Sequence, residues 1–178
     1  MTGELPKNWQ KEKHSEITEG RQSELLQEFA IAINAQASAY DLVWELVNQV
    51  NKLLNYEDCV LYLYDKDKES LIQMAAYGEK KVNKKNIIEP IRIEPGEGIV
   101  GRVFLSGMGR VIGDTSLDGN YIIDDRFRLS EISIPILIND EVIGVIDSEY
   151  PTQNYYTNND LTILCEVAKL FAAKMKTF

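Results

Sequence analysis

The chain has 178 residues, 44% of them hydrophobic and 26% charged, with a formal charge of −9. That composition suits a globular domain with one sizeable core plus an extension, and the acidic balance excludes a nucleic-acid binder working through a basic face. No apolar run approaches the ~18 residues of a membrane span, and the polar opening MTGELPKNWQKEKHSEITEGRQ lacks a signal-peptide core, so a cytoplasmic location is expected.

Residues 1–15 show no apolar periodicity and read as a disordered tail. A helical pattern follows in residues 16–37, carried by Leu25, Leu26, Phe29, Ala30 and Ile33. Ser38 is placed to cap a second helix, with Asp41 three residues on. Its stripe is Leu42, Val43, Leu46, Val47, Val50, Leu53 and Leu54, and the two helices read as nearly continuous. The period then changes. CVLYLY (59–64) is apolar or aromatic on both alternating faces, as in a strand covered on both sides. DKDKES turns the chain and LIQMAAYG (71–78) returns it as a hairpin. The stretch 79–90 reads as a polar loop, with Lys80, Lys81, Lys84 and Lys85 solvated.

Ile91–Ile93 reads as a short strand, Gly98–Ser106 as a short amphipathic helix and Arg110–Ile112 as another strand. Residues 113–127 are loop-rich; the paired acids Asp124 and Asp125, beside Arg126 and Arg128, read as a solvated charge cluster. ISIPILINDEVIGVIDS is the strongest hairpin signal, turning at Asn139-Asp140. A two-residue loop puts Ile132, Ile134, Ile136 and Ile138 on one face with Ile143 and Val145, and pairs Pro135 with Gly144. A proline there requires an unpaired position or a bulge. Thr157 and Asp160 cap a closing helix with two adjacent apolar stripes, so it packs against the sheet and against a second surface, either the N-terminal helix or a second subunit.

Gly96-x-Gly98-x-x-Gly101 spells the dinucleotide fingerprint. The flanking hairpins are antiparallel, however, whereas that fingerprint belongs to repeated βαβ units. Backbone geometry is the better account: a tight turn at Gly96 and Gly98, and a close approach at Gly101.

IEPGEGIVGRVFLSGMGRVIGD is similar to the glycine-bearing turn, short helix and short strand of the GAF domain family. SEISIPILINDEVIGVID resembles the next segment of that family, YYTNNDLTILCEVAKLFAAKM its closing helix, and DLVWELVNQVNKLLNYEDCVLYLYD its opening helix and first strand. The resemblance covers roughly residues 38–176 in order and sets the domain at 38–178. It implies an α+β, PAS-like fold: an antiparallel sheet of about six strands, with N- and C-terminal helices on one face and short helices and loops over a small-molecule pocket on the other.

The resemblance also implies a sensory or regulatory module, of the kind found in two-component sensor histidine kinases and related signalling proteins. Two other readings stay open: a small-molecule reductase on the same fold, similar to free methionine sulfoxide reductases, and a purely structural dimerisation module. Haem or bilin would need a histidine or a pocket cysteine, but His14 lies in the tail, and Cys59 and Cys165 lie outside the middle segment. Two cysteines and one histidine do not make a zinc site. The cyclic-nucleotide motif has only its Asn83-Lys84 half.

No catalytic constellation is readable in the sequence, so no catalysis is expected. The candidate pocket residues are Tyr62, Tyr77, Phe104, Asp114, Tyr121, Phe127 and Ser133. Their competing roles are core packing for the aromatics and loop capping for Asp114. The N-terminal stripe has no evident cover within a domain that begins near Ser38. Two chains are therefore expected to pair as a homodimer through residues 20–54 and 161–175.

Overall fold

A computed structural model describes residues 18–83 and 85–178. The expectations for the tail at 1–15, for His14 and for Lys84 lie outside the described residues.

Thr18 caps α1 (Glu19–Asn34), accepting the Arg21 amide. Ser38 caps α2 (Ala39–Leu54), accepting the Asp41 amide at 3.0 Å. A break at Ala35–Ser38 therefore separates the two helices, because capping at Ser38 starts the second one afresh. β1 (Cys59–Asp65) and β2 (Ser70–Tyr77) form the first hairpin. The stretch read as loop holds a small hairpin of its own, β3 (Lys81–Asn83) and β4 (Asn86–Ile87). β5 (Arg92–Ile93), α3 (Gly98–Ser106), β6 (Arg110–Ile112) and a 3₁₀ turn (Thr115–Leu117) follow. β7 (Ser130–Ile138), β8 (Glu141–Tyr150) and α4 (Asn158–Met175) close the chain, α4 with the Thr157–Asp160 capping box.

The main sheet has six antiparallel strands in the order β5-β2-β1-β8-β7-β6. α1, α2 and α4 cover one face over a core that includes Leu46, Leu61, Ile134 and Phe171. α3 and the irregular segments cover the other, over Val60, Tyr62, Leu71, Val103 and Val145. No helix among the described residues is long and apolar enough to cross a membrane.

The stripe of α1 is covered within its own chain. Leu25, Phe29 and Ile33 are all buried in the core shared with α2 and α4. This corrects the expectation that the stripe needs a second chain: the two adjacent stripes on α4 serve the sheet and α1 together.

Two bulges set which side chains face which layer. In β8 the register slips after Leu137↔Val142, so Ile136 pairs with Gly144 and Pro135 with Val145. Ile143 is the extra residue. It packs toward the helices with Ile146, while Val145 joins the opposite layer, a correction to the face read from alternation. In β2 the slip falls between Ala75 and Gln73, leaving Met74 extra. Gln73 therefore faces the α3 side, and Ala75 and Tyr77 face the helices.

The three glycines at 96–101 have the backbone role expected of them. Gly96 and Gly98 adopt φ of +94° and +59°, the left-handed region that a side chain disfavours. A Cβ on Gly101 would sit 2.5 Å from the Glu94 carbonyl oxygen. Gly101→Ala is expected to cost about 1–3 kcal/mol through that backbone clash. Urea unfolding checks it; a loss below ~0.5 kcal/mol would mean the turn yields freely.

Candidate functional site

Between α3 and the sheet lies a cavity walled by Tyr62, Ile91, Ile93 and Ile122, with the first turn of α3 at Gly98–Val100. Its polar lining is Asp124, Glu131, Asp147 and Glu149. The β8 bulge explains part of this set, since it turns Val145, Asp147 and Glu149 away from the helices. Glu131 and Ser133 alternate with Ile132 and Ile134 on β7 and so share the cavity side. Register places Glu131 opposite Glu149 and Ser133 opposite Asp147. The cavity is small, about 20 Å³, room for about one water.

The cluster around it is buried and carries surplus negative charge. Ser133 Oγ donates to Asp147 and lies 3.3 Å from Glu131 Oε1. Tyr121 Oη donates to Glu149 Oε1 at 2.5 Å. Gln73 Nε2 donates to Tyr62 Oη at 2.9 Å and to Asp124 Oδ2 at 2.5 Å, while its Oε1 accepts the Ile91 amide. Asp58 accepts the Glu149 amide at 2.7 Å. The cations are Lys80, paired with Asp124, and Arg128, paired with Asp125 and lying 3.4 Å from Glu149 and 3.8 Å from Asp58. Against these two stand six carboxylates: Asp58, Asp124, Asp125, Glu131, Asp147 and Glu149.

Burial raises four of these acids, whereas the Arg128 guanidinium holds Asp125 low against its own burial. Desolvation lifts Asp58 to about 7 against the pull of Arg128, and Asp147 to about 6 against its hydrogen bonds. It holds Glu131 and Glu149 well above the usual carboxylate range, with the Asp147 charge adding to both. Chemically, the site can hold protons at neutral pH and exchange them for a cation.

Two charge groupings differ from their sequence reading. Lys80 is only 6% exposed and is not solvated, because its ammonium also meets the Ile88 and Glu89 carbonyls at 3.3 and 3.1 Å. Arg128 is 1% exposed, the largest of the fully buried side chains. Asp124 is thus ion-paired inward, while Asp125 and Arg126 belong to an exposed stretch, Asp125 reaching in to pair with Arg128.

The structure brings together three of the seven candidate residues. Tyr62 lines the cavity, and Tyr121 and Ser133 hold its carboxylates. Phe104 stacks on Tyr64 at 4.7 Å against the core on the α3 side and does not line the cavity. Phe127, 48% exposed, sits edge-on to Tyr121. Asp114 caps the 3₁₀ turn and accepts from Gln153, a loop-fastening role. Tyr77 lies on the helix side because of the β2 bulge. The acids, Lys80 and Arg128 were missed. Glu131 was findable, since strict alternation with the β7 isoleucines already points it away from the helices.

A six-stranded antiparallel sheet with paired terminal helices behind it and a cavity under a short helix defines a PAS-like class of domain. The chain belongs to the GAF domain family, whose match spans residues 36–175. It is similar to the GAF domain of a phosphoenolpyruvate-protein phosphotransferase from Acinetobacter, at 19% identity and TM-score 0.79 over 90% of this chain and 95% of that one. It is also similar to free methionine-R-sulfoxide reductase from Neisseria meningitidis, solved with its substrate, at 19% identity and TM-score 0.78 over 89% and 92%. Protein YtsP of Bacillus subtilis (strain 168) is 29% identical over 79 residues, 44% of this chain. The chain spans about half the length of that curated relative, 48%.

The reductase match corrects the expectation of no catalysis. The same fold, at nearly full coverage, carries an enzyme, so a missing histidine set does not place this chain outside catalysis. Its own thiols lie away from the cavity. Cys59 is buried in the helix-side core, and Cys165 is half-buried on α4. Burial pushes both thiols up.

Proposed function

We propose that this chain is a GAF sensory module whose cavity takes a small molecule bearing a cationic group. The observation that carries this is the surplus of buried carboxylates around the cavity. A positive group entering there would replace protons that burial now holds on the acids. The reductase neighbour supports it, since free methionine-R-sulfoxide is an amino acid and carries an ammonium. The signalling context, a two-component sensor histidine kinase or a partner of one in the cytoplasm, rests on the sequence resemblance alone. Pairing with a second copy has lost its first argument, now that the α1 stripe is covered. It would use the outer helix surface, where Ile31 is 74% exposed, and light scattering at ~0.1 mM reads it.

Calorimetric titration with free amino acids, methionine sulfoxide and small diamines, against neutral and anionic analogues, tests the reading. Cationic members are expected to bind, more tightly at pH 8 than at pH 6 because the acids must ionise. Glu131→Gln is expected to weaken them about tenfold, the effect of losing one charge-assisted contact. Equal binding of neutral analogues, or indifference to Glu131→Gln, would overturn it.

A further inference from the structure

The roof of the cavity is a loop whose two ends are tied together. The Thr115 amide donates to the Leu129 carbonyl at 3.0 Å, and Thr115 Oγ1 donates to the Arg128 carbonyl. Residues 115–129 therefore form an Ω-type loop with a closed neck. Ile122 and Asp124, at its far side, line the cavity. Within residues 118–128, only Asp118 and Tyr121 donate main-chain bonds to main-chain acceptors among the described residues, to the Thr115 and Asp118 carbonyls. Both bonds are local. No sheet or helix ladder holds the roof down.

Side chains hold it instead, and they are unequal. Arg126 reaches Glu57 and Glu79, but all three side chains are 39–56% exposed, and such pairs contribute little. Arg102 meets Asp118 at 2.5 Å near the neck. Asp125 pairs with Arg128 inside the loop's own base. Two buried charged contacts tie the loop to the rest of the chain: Arg128 with Glu149 beside the neck, their side chains 1% and 6% exposed, and, across the mouth, Lys80 with Asp124, 7% and 9% exposed. Lys80 is rooted in the opposite rim: its ammonium donates to the Ile88 and Glu89 carbonyls, and its own carbonyl accepts the Ile88 amide at 2.8 Å. Tyr121 on Glu149 and Gln73 on Asp124 add neighbouring hydrogen bonds.

We propose that residues 118–128 are a lid hinged at the Thr115–Leu129 neck, and that the Lys80–Asp124 pair is its latch. The inference rests on the reading that the cavity is a ligand site, because a space of about 20 Å³ admits no organic molecule until the roof lifts. Lys80 is a positioning residue here. It sets the fraction of time the site is open and does not itself hold the ligand.

The test needs no ligand, so a fixed roof and a site indifferent to cations are separate failures. Val100 lies on the cavity wall and is 4% exposed. Val100→Cys is made in the otherwise intact chain, and labelling of the new thiol by a small maleimide is followed with the parent chain as background. Hydrogen exchange is read in parallel on residues 118–128 and on β7 and β8. In the unaltered chain the loop amides are expected to exchange faster than the sheet. Adding Lys80→Met is expected to raise both thiol labelling in the Val100→Cys chain and loop exchange about tenfold or more, as loss of one partner of a buried pair does, with β7 and β8 unchanged. Asp124→Asn, which keeps the shape and the Gln73 contact, reads the same latch should the first variant fold poorly. Loop exchange as slow as the sheet in the unaltered chain overturns the proposal. So do unchanged labelling in the latch variants, and an equal acceleration in β7 and β8.

Discussion

Arg128→Met is expected to cost about 3–5 kcal/mol of folding stability, the largest single-residue loss outside the aromatic core. The guanidinium is 1% exposed and faces three carboxylates: Asp125 by two hydrogen bonds, Glu149 at 3.4 Å and Asp58 at 3.8 Å. Burial alone would disfavour its charge, but the Asp125 hydrogen bonds and the Asp58 and Glu149 charges hold the proton on it. Methionine fills much of the same volume and removes the charge, leaving three acids to repel one another out of water. They respond by taking up protons, so the loss is largest at high pH and shrinks toward pH 5. Lys at this position restores a charge but not the paired N–H groups that meet Asp125, and recovers only part of the loss. Urea unfolding of the three proteins at pH 8 and pH 5 measures this. A methionine variant within ~1 kcal/mol of the parent at pH 8 would show that Arg128 does not neutralise the cluster.

Much of the fold was legible because its signals are local. Ser38 and Thr157 cap helices by hydrogen bonds that their own side chains make. Asn139 and Asp140, both at positive φ, make the turn their types predict. Gly96, Gly98 and Gly101 read correctly once the hairpins ruled out a parallel sheet. The site was less legible because it depends on two single-residue slips, at Ile143 and Met74, that no local pattern announces. Each slip reverses the faces of everything beyond it, which sends Asp147 and Glu149 into the cavity and Tyr77 out of it. Lys80 and Arg128 were hidden differently. Each sits in a charged run that resembles solvent-facing sequence, and only the distant carboxylates bring them inside.

The α1 stripe teaches the same lesson in reverse. Leu25, Phe29 and Ile33 looked unpartnered because their cover is the second stripe of α4, more than a hundred residues further along the chain. A wide apolar arc on one helix and a narrow one on another are complementary, and that complementarity was available in the sequence.

Stability is expected to fall as pH rises from about 5 to 8. Asp58, near 7 in the folded chain, and Asp147, near 6, both stand above their ordinary value of 3.8, as burial dictates. Glu131 and Glu149 shift the same way. An acid raised on folding binds more protons folded than unfolded, so its contribution is present at low pH and lost as pH climbs through the folded pKa. The groups facing Asp58 are Arg128, which opposes the shift, and Asp125 and Asp147, which add to it. Asp41 and Asp118 act oppositely, held low by Lys85 and Arg102, and their support is lost below about pH 4. They lie near the surface, so solvent screening keeps that effect small. The maximum is therefore expected near pH 4, and Asp58 and Asp147 alone give a decline of about 4 kcal/mol between pH 5 and pH 8, since one pKa unit is worth about 1.4 kcal/mol. The net charge of −9 pushes the same way through general repulsion, and Asp58→Asn reads the part that Asp58 carries. The amide oxygen still accepts from Glu149 but no longer titrates, so the slope between pH 5 and 8 should flatten. An unchanged slope in Asp58→Asn would mean that Asp58 does not carry the decline. A parent chain more stable at pH 8 than at pH 5 would mean that the cavity acids are already ionised, with water or a counter-cation among them.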